Sequence, residues 1–234
     1  MKKIFIISFL CVLLNNVCGQ TNEFNVDKIS TYAYGNENVD FKISLVNGEL
    51  QFEKIIDSLN LSKDELFSRV ISYFALSYNN SQNVIQQQDK ENGRIIGKGI
   101  FSGFSISKEK AGSSLVPITV FYKYSAKHTL IIDIKNGKIR YKLTIPDYIV
   151  DVTASTDCYV VGVSTRAISR CAPIYKDYSE FEKAKAGKTI IKNYVDARIN
   201  SEQEAFIKLC EKCRKNIIDF ETSVKTQINN NTDW

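Results

Sequence analysis

Apolar and polar residues alternate most regularly on either side of the Asn-Gly dipeptide at 136–137. An Asn-Gly dipeptide readily adopts the two positive φ values of a tight type I′ turn. Counting outward from it pairs Ile134 with Ile139, Ile132 with Tyr141, Leu130 with Leu143 and His128 with Ile145 on one face. The other face pairs Asp133 with Arg140, Ile131 with Lys142 and Thr129 with Thr144. Because one set is apolar and the other mostly polar, the pattern predicts an antiparallel hairpin with one buried face.

Two further Asn-Gly dipeptides stand between strand-like segments. The one at 47–48 places Leu45 opposite Leu50, Ile43 opposite Phe52 and, on the other face, Lys42 opposite Glu53. The one at 92–93 places Ile85 opposite Ile100 and Val84 opposite Phe101, with glycine at 97, 99 and 103. Repeated glycines in a strand indicate a bulge or a close backbone approach. We expect a helix of the same chain to pack on them.

Helical periodicity appears in two places. Residues 62–78 begin with a Ser62–Glu65 capping box and carry an apolar face of Leu66, Phe67, Val70, Ile71 and Phe74. A second capping box, Ser201 with Glu204, predicts the start of a long C-terminal helix. Its apolar stripe is Phe206, Cys210, Cys213, Ile217, Phe220 and Val224.

The order of elements predicts an α+β fold. A strand at 117–124 precedes the 128–145 hairpin, giving four or five antiparallel strands with helices covering one face of the sheet. The predicted divisions are a signal peptide at 1–19, an N-terminal extension at 20–38, an α+β domain at 39–147 and a C-terminal extension at 148–234 that ends in the long helix.

The N-terminal segment predicts export. Lys2 and Lys3 precede an apolar run that is too short to cross a bilayer, and Val17 and Gly19 suit a signal peptidase that cleaves before Gln20. Lipid attachment at Cys18 is the alternative, although Val17 is larger than lipoprotein processing prefers. We expect a periplasmic or secreted protein with no transmembrane segment in the mature chain.

The charge balance argues against a nucleic-acid partner. The chain has 31 basic and 26 acidic residues, and removal of Lys2 and Lys3 leaves an excess of three positive charges. Nucleic-acid binding usually requires a much stronger basic excess.

Candidate catalytic motifs are weak. A phosphate-binding loop requires G-x-x-x-x-G-K-[ST], whereas Gly93 and Gly97 are separated by three residues and Gly99 follows Lys98. His128, the chain's one histidine, falls on an apolar strand face and is interpreted as a core-edge residue rather than a base. We therefore expect no enzymatic activity. An enzyme that uses carboxylates alone remains open, and requires two acids that converge in a cleft.

The cysteines favour structural roles. Cys158 and Cys171 enclose a 14-residue segment that a disulfide could close in an oxidising compartment. Cys210 and Cys213 lie inside the predicted helix on its apolar stripe, so we expect buried thiols rather than a redox or zinc site. No metal or cofactor is predicted.

The chain resembles a known family in four stretches: GELQFEKIID, LSKDELFSRVISYF, NVIQQQDKENGRIIGKG and HTLIIDIKNGKIRYKLT. This is domain-of-unknown-function family 4468, whose members are exported bacterial proteins with a TBP-like fold. The similarity covers roughly residues 48–147. It implies a curved antiparallel sheet with helices on one side, and it implies no activity and no functional residues.

The remaining functional candidate is the sheet face away from the apolar pairs, which carries Lys98, Lys123, Arg140 and Lys142. Such a face is commonly just solvated, and the alternative is a docking surface for an acidic or extended partner. The function expected is a non-enzymatic binding or cell-envelope module whose partner is a protein or another envelope component. The alternative is a lipid or small-molecule carrier with a cavity between the sheet and the C-terminal helix.

Overall fold

The computed structural model describes residue 34 and residues 39–78, 81–110, 119–154, 159–167 and 189–226. The predicted signal peptide, the lipidation site at Cys18 and the predicted disulfide between Cys158 and Cys171 lie outside these residues.

The described residues form one eight-stranded sheet and three helices. The strands are β1 (Lys42–Val46), β2 (Glu49–Ile56), β3 (Ile85–Asp89), β4 (Arg94–Lys110), β5 (Thr119–Lys135), β6 (Lys138–Ile145), β7 (Asp147–Ala154) and β8 (Tyr159–Ala167). The helices are α1 (Lys63–Ser77), α2 (Ser81–Val84) and α3 (Thr189–Thr226). All strand pairs are antiparallel, in the order β1-β2-β6-β5-β4-β3, with β7 between β5 and β8. The predicted α+β class, with an antiparallel sheet and a long C-terminal helix, is confirmed.

Strand β5 is central to the sheet because it pairs with three other strands, β4, β6 and β7. The sequence predicts separate strands at 117–124 and from 128 onward, but β5 runs without a break because neither Gly nor Pro interrupts it. Its first half pairs with β7 and its second half with β6. Strand β4 follows it with a register shift between Phe101 and Ser105, where Gly103 has φ +54° and donates its N–H to Ser125 Oγ. This bulge bends the long strands, in agreement with the curved sheet that the family resemblance implies.

The strand pairing predicted around the three Asn-Gly turns is confirmed at two of them and wrong at the third. At 47–48 both residues have positive φ, and the predicted pairs Leu45–Leu50, Ile43–Phe52 and Lys42–Glu53 form. At 136–137 the pairs from Thr129–Thr144 to Ile134–Ile139 form as predicted, although only Gly137 has positive φ.

The predicted pairing around 92–93 is wrong. Ile85 faces Gly97 rather than Ile100, and Asp89 faces Arg94, so the turn contains four residues. The reason is local: Asp89 Oδ1 accepts the N–H of Asn92, and Lys90 O accepts that of Gly93, which closes a longer turn. The predicted bulge is present in β3, between Ile85 and Gln87.

Helix α1 begins as predicted. Ser62 is the N-cap, and the reciprocal hydrogen bonds of the capping box with Glu65 are both present. The buried face contains Leu66, Phe67, Val70 and Phe74, and it also includes Tyr73, which the sequence analysis did not select.

Helix α3 starts twelve residues before the predicted start, at Thr189 rather than at Ser201. The Ser201–Glu204 pair is therefore not a capping box. Ser201 is buried and its hydroxyl bonds the Tyr124 hydroxyl, while Glu204 pairs with Lys208 one turn further on. No proline or glycine stands between 189 and 201 to stop the helix. The predicted apolar stripe from Phe206 to Val224 is fully buried.

The glycine at 97 allows α1 to lie directly on the sheet. A Cβ atom added there would stand 2.6 Å from Phe74 Cε1, and Phe74 is fully buried. The expectation that a helix of the same chain packs on this strand is confirmed at Gly97.

Substitution of Gly97 by alanine should destabilise the protein, because the added methyl group cannot fit without moving the Phe74 ring. Overpacking of this kind costs about 1–3 kcal/mol in the free energy of unfolding. Urea denaturation compares the variant with Gly97→Ala/Phe74→Leu, in which the smaller side chain should restore part of the loss. A denaturation midpoint for Gly97→Ala equal to that of the wild type would contradict the close contact.

Candidate functional site

The sheet has two chemically distinct faces. The face that we call the inner face carries Ile95, Leu130, Ile132, Tyr141 and Leu143, which are all fully buried beneath the helices. The opposite face, called the outer face, is made of the alternate residues of the same strands. Helices α1 and α3 both contact the inner face, through Phe74 at Gly97 and through Phe220 at Tyr141.

The four basic residues selected from the sequence all lie on the outer face. Three of them have cross-strand partners on β5: Lys98 is opposite Thr129, Lys142 is opposite Ile131, and Arg140 is opposite Asp133. Lys123 lies beyond the bulge, opposite Ile106 and Asp151. The structure thus places Lys98 on β4 and Arg140 and Lys142 on β6, on either side of β5, and places Lys123 on the other half of the sheet.

Arg140 is already engaged. Both Arg140 and Arg94 donate hydrogen bonds to the two carboxylate oxygens of Asp133, with Arg94 Nε at 2.6 Å. Partial burial of Asp133 alone would raise the pKa of its carboxyl group, but the two guanidinium groups outweigh it and the pKa lies below its usual value. Arg140 therefore completes an ionic cluster, and the lysines remain as the charges available to a ligand.

Lys98, Lys123 and Lys142 form no ion pair within the described part of the chain. The register adds two lysines that the sequence analysis did not select, Lys42 on β1 and Lys127 on β5. The alternation that identified the other lysines would have identified Lys127, had residues 117–135 been interpreted as a single strand.

The outer face is the basic side of the molecule. By alternation and register, its strands β1–β7 carry eleven basic side chains against six acidic ones, an excess of five. The basic residues are Lys42, Arg94, Lys98, Lys108, Lys110, Lys123, Lys127, Lys135, Lys138, Arg140 and Lys142, and the acidic ones are Glu49, Glu53, Asp89, Asp133, Asp147 and Asp151. Since the whole chain has a net charge of +5, the excess on this face equals that of the entire protein.

Aliphatic side chains are interleaved with these charges. Ile55, Ile100 and Ile106 are 51 %, 51 % and 61 % exposed, and each pairs across the sheet with a basic residue. Their cross-strand partners are Arg140, Lys127 and Lys123 respectively. The three isoleucines are separated from one another along and across the sheet, so they are individual exposed apolar side chains among the charges rather than one continuous apolar patch.

His128 lies on the inner face, as predicted. It is 3 % exposed, its ring stacks on Phe101 at 4.2 Å between centroids, and its Nε2 lies 3.2 Å from Tyr78 Oη. Burial lowers the pKa of His128 to about 4, because the apolar surroundings disfavour the imidazolium form.

Cys210 and Cys213 are buried free thiols, in agreement with their predicted position on the apolar stripe. Burial raises the pKa of both thiols far above the ordinary value. The Tyr34 hydroxyl donates to Cys210 O at 2.8 Å, so the backbone at this point is also occupied. No group of three or more His, Cys, Asp or Glu side chains in the described part of the chain could hold a metal ion.

A buried lysine also lies on the inner face. Lys54 is 5 % exposed and donates to Asp40 Oδ2 at 2.6 Å and to Glu221 of α3. Burial alone would lower the pKa of Lys54, but the hydrogen bonds to the two carboxylates hold it above the usual value. The ion pair with Glu221 attaches α3 to β2, so the Lys54 ammonium group is not free to bind a ligand.

The chain is similar to solved structures and to one protein family. None of the described helices is both long enough and apolar enough to span a membrane. No curated protein sequence matches the chain. The solved structures that are similar to it include a TBP-like protein from Parabacteroides distasonis and a DUF4468 family protein from Bacteroides ovatus.

The overlap with both structures is loose. The first has 14 % sequence identity, covers 76 % of this chain and 96 % of its own, and gives a TM-score of 0.36. The second has 15 % identity, covers 82 % and 94 %, and gives a TM-score of 0.37. At these TM-scores neither structure transfers a residue or a function to this chain.

The family comparison is more direct. The model of a family described as "Domain of unknown function (DUF4468) with TBP-like fold" matches residues 52–148. The match begins in β2 and ends in β7, whereas the sheet continues through β8. Over residues 52–148, less than half of its length, the chain thus resembles the DUF4468 family with its TBP-like fold, which confirms the resemblance inferred from its sequence.

Proposed function

We propose that this protein is a non-enzymatic, exported module that uses the outer face of its sheet to bind an acidic component of the cell envelope. One observation carries the proposal: α1 and α3 pack on the inner face, while the outer face combines the basic excess with exposed isoleucines. Complementary charge accelerates and orients association, and the isoleucines add apolar contact area.

The non-enzymatic part of the proposal is supported by the location of the reactive groups. His128, Cys210 and Cys213 are all buried on the inner side, and the pKa shifts of the three groups favour their neutral forms. A general base or nucleophile must reach its substrate. On the outer face, Asp133 is held by two arginines, which leaves it poorly suited to proton transfer.

The carrier alternative is less well supported. It requires a cavity beneath α3, but the rings of Tyr73 and Tyr141 lie 5.0 and 4.9 Å from that of Phe220. Aromatic side chains thus occupy the space between α1, the sheet and the second half of α3. These contacts favour the outer face over the interior as the binding surface.

The double variant Lys98→Glu/Lys142→Glu should weaken binding of the protein to poly-L-glutamate, which serves as an acidic probe. Two charge reversals within the basic face should reduce affinity about tenfold or more, and wild-type binding should weaken as salt rises. Biolayer interferometry at several salt concentrations measures both effects.

The matched control is Lys212→Glu/Lys215→Glu, which makes the same charge change on exposed positions of α3. Equal losses in the two variants would indicate a net-charge effect and would contradict a specific face. Capture from envelope extract, with mass spectrometry of proteins and lipids, then compares wild type with both variants. Identical recovery by wild type and Lys98→Glu/Lys142→Glu would also count against the proposal.

The buried state of His128 predicts how stability depends on pH. The pKa is about 4 in the folded protein and about 6.5 in an unfolded chain. As pH falls below 6.5 the unfolded chain takes up the proton first, so stability declines toward pH 4, by about 3 kcal/mol from this group.

The His128→Gln variant should lack this part of the pH dependence, since glutamine keeps a polar group near Tyr78 and does not titrate. Urea denaturation of both proteins between pH 4 and 7 isolates the histidine from the carboxylates. Parallel curves, or an imidazole that titrates near 6.5 by NMR, would show that His128 is accessible and would reopen a role as a base.

A further inference from the structure

Lysines recur along the outer face of the two longest strands, β4 and β5. Beyond the Ile96–Ile131 pair, every outer-face pair between these strands contains one lysine and no acidic residue. The pairs are Lys98–Thr129, Ile100–Lys127, Ile106–Lys123, Lys108–Phe121 and Lys110–Thr119. We call these residues the lysine ribbon. At about 3.3 Å per residue, its length from Thr119 to Thr129 is about 33 Å.

The positive charge of the ribbon is only partly balanced by its surroundings. All five lysines are exposed, and none of them forms an ion pair within the described residues. On the neighbouring strand β7 the outer-face acids are Asp147 and Asp151, so five lysines minus two aspartates leave an excess of three positive charges. Glu49 and Glu53 lie on β2, which is separated from β5 by β6.

Apolar side chains alternate with these lysines. Ile100 and Ile106 are 51 % and 61 % exposed. Their partners Lys127 and Lys123 are four residues apart on β5, so the two isoleucines stand about 13 Å from each other. Because they do not touch, they cannot form the continuous apolar centre that is typical of a protein–protein interface.

This pattern suits the surface of a lipid bilayer. Each lysine close to an anionic bilayer strengthens binding about fivefold. Separate aliphatic side chains can each enter the boundary between headgroups and acyl chains, while the long lysine side chains keep their ammonium groups among the headgroups. The lipids of a bilayer can also move sideways, so their charges can adjust to the spacing of the lysines.

A nucleic acid would select different side chains. Arginine binds phosphate groups through two parallel hydrogen bonds, and exposed aromatic rings stack on unpaired bases. The ribbon contains no arginine, and its one aromatic ring, that of Phe121, is half-buried with the Lys108 ammonium group 5.6 Å from its centroid.

We propose that the lysine ribbon docks the protein on the surface of an anionic phospholipid bilayer. The lysine ammonium groups bind lipid phosphates, and Ile100 and Ile106 insert at the boundary with the acyl chains. The sheet then lies flat on the bilayer, with α1 and α3 on the side away from it. This inference rests on the proposed function, because it identifies the acidic envelope component that the same face would bind.

The experiment separates apolar insertion from charge attraction. Co-sedimentation measures binding to vesicles made of equal parts of phosphatidylglycerol and phosphatidylcholine, and to vesicles of phosphatidylcholine alone. Fluorescence anisotropy measures binding to labelled poly-L-glutamate, which is anionic but has no apolar phase. The variant Ile100→Gln/Ile106→Gln keeps every charge. We expect it to lose at least about tenfold in affinity for the anionic vesicles and to keep its affinity for poly-L-glutamate within about twofold.

The charge variant Lys108→Gln/Lys123→Gln should lose about tenfold or more on the anionic vesicles. The matched control for the isoleucines is Leu76→Gln/Ile218→Gln, which replaces exposed apolar side chains of α1 and α3 and should bind as wild type does. Circular dichroism verifies folding, and Ile106→Gln alone replaces the double variant if that protein does not fold.

The outcomes distinguish this inference from the proposed function. Wild-type binding of poly-L-glutamate without binding of the anionic vesicles would overturn the bilayer inference and leave the proposed function intact. Unchanged vesicle binding by the isoleucine variants, or equal binding of wild type to both kinds of vesicle, would overturn the inference as well. Failure of wild type to bind either the vesicles or poly-L-glutamate would overturn both proposals.

Discussion

The packing of Tyr73 and Tyr141 on Phe220 holds α1 and α3 together on the inner face of the sheet. It joins α1, strand β6 and α3, with ring centroids 5.0 and 4.9 Å from Phe220. Aromatic rings at these distances combine a large buried area with an edge or tilted geometry that is favourable in itself. Tyr73 places α1 against α3, and Tyr141 places α3 against the sheet, so both helices lie on the inner face. The outer face keeps several side chains exposed, among them Ile55, Ile100 and Ile106.

Much of this arrangement could be predicted from local sequence. The pairing around Asn136-Gly137 specified which residues share a face, and the capping box at Ser62 located the start of α1 within one residue. Both signals act over a few residues, so no tertiary information is needed to use them. The turn at 92–93 shows the limit of this reasoning, since a hydrogen bond from Asn92 to Asp89 changed the loop length and shifted the strand pairing.

Other features depended on contacts between distant parts of the chain. Ser201 resembles an N-cap in sequence, but its hydroxyl is used by Tyr124, which is 77 residues away, and the helix continues through it. The candidate site was only partly predictable for the same reason. Alternation placed Lys98 and Lys142 on one face, whereas the arrangement of β2 on that face depends on its pairing with β6. That pairing brings Gln51 beside Thr144, and nothing near either residue in the sequence indicates it.

The core residues and the residues proposed for binding alternate along the same strands, so each set can be substituted without the other. On β4, Gly97 accepts the Phe74 ring from the inner side while Lys98, the next residue, points to the outer side. On β6, Tyr141 packs beneath α3 and its neighbour Lys142 lies on the outer face. Substitutions on the outer face should thus alter charge with little effect on the core. The two faces remain linked through register alone, since a slip of one residue would bury the lysines and expose the aromatic core. The apolar inner face therefore does more than stabilise the fold, because by fixing the register it also fixes the spacing of the charges and hydroxyl groups on the outer face.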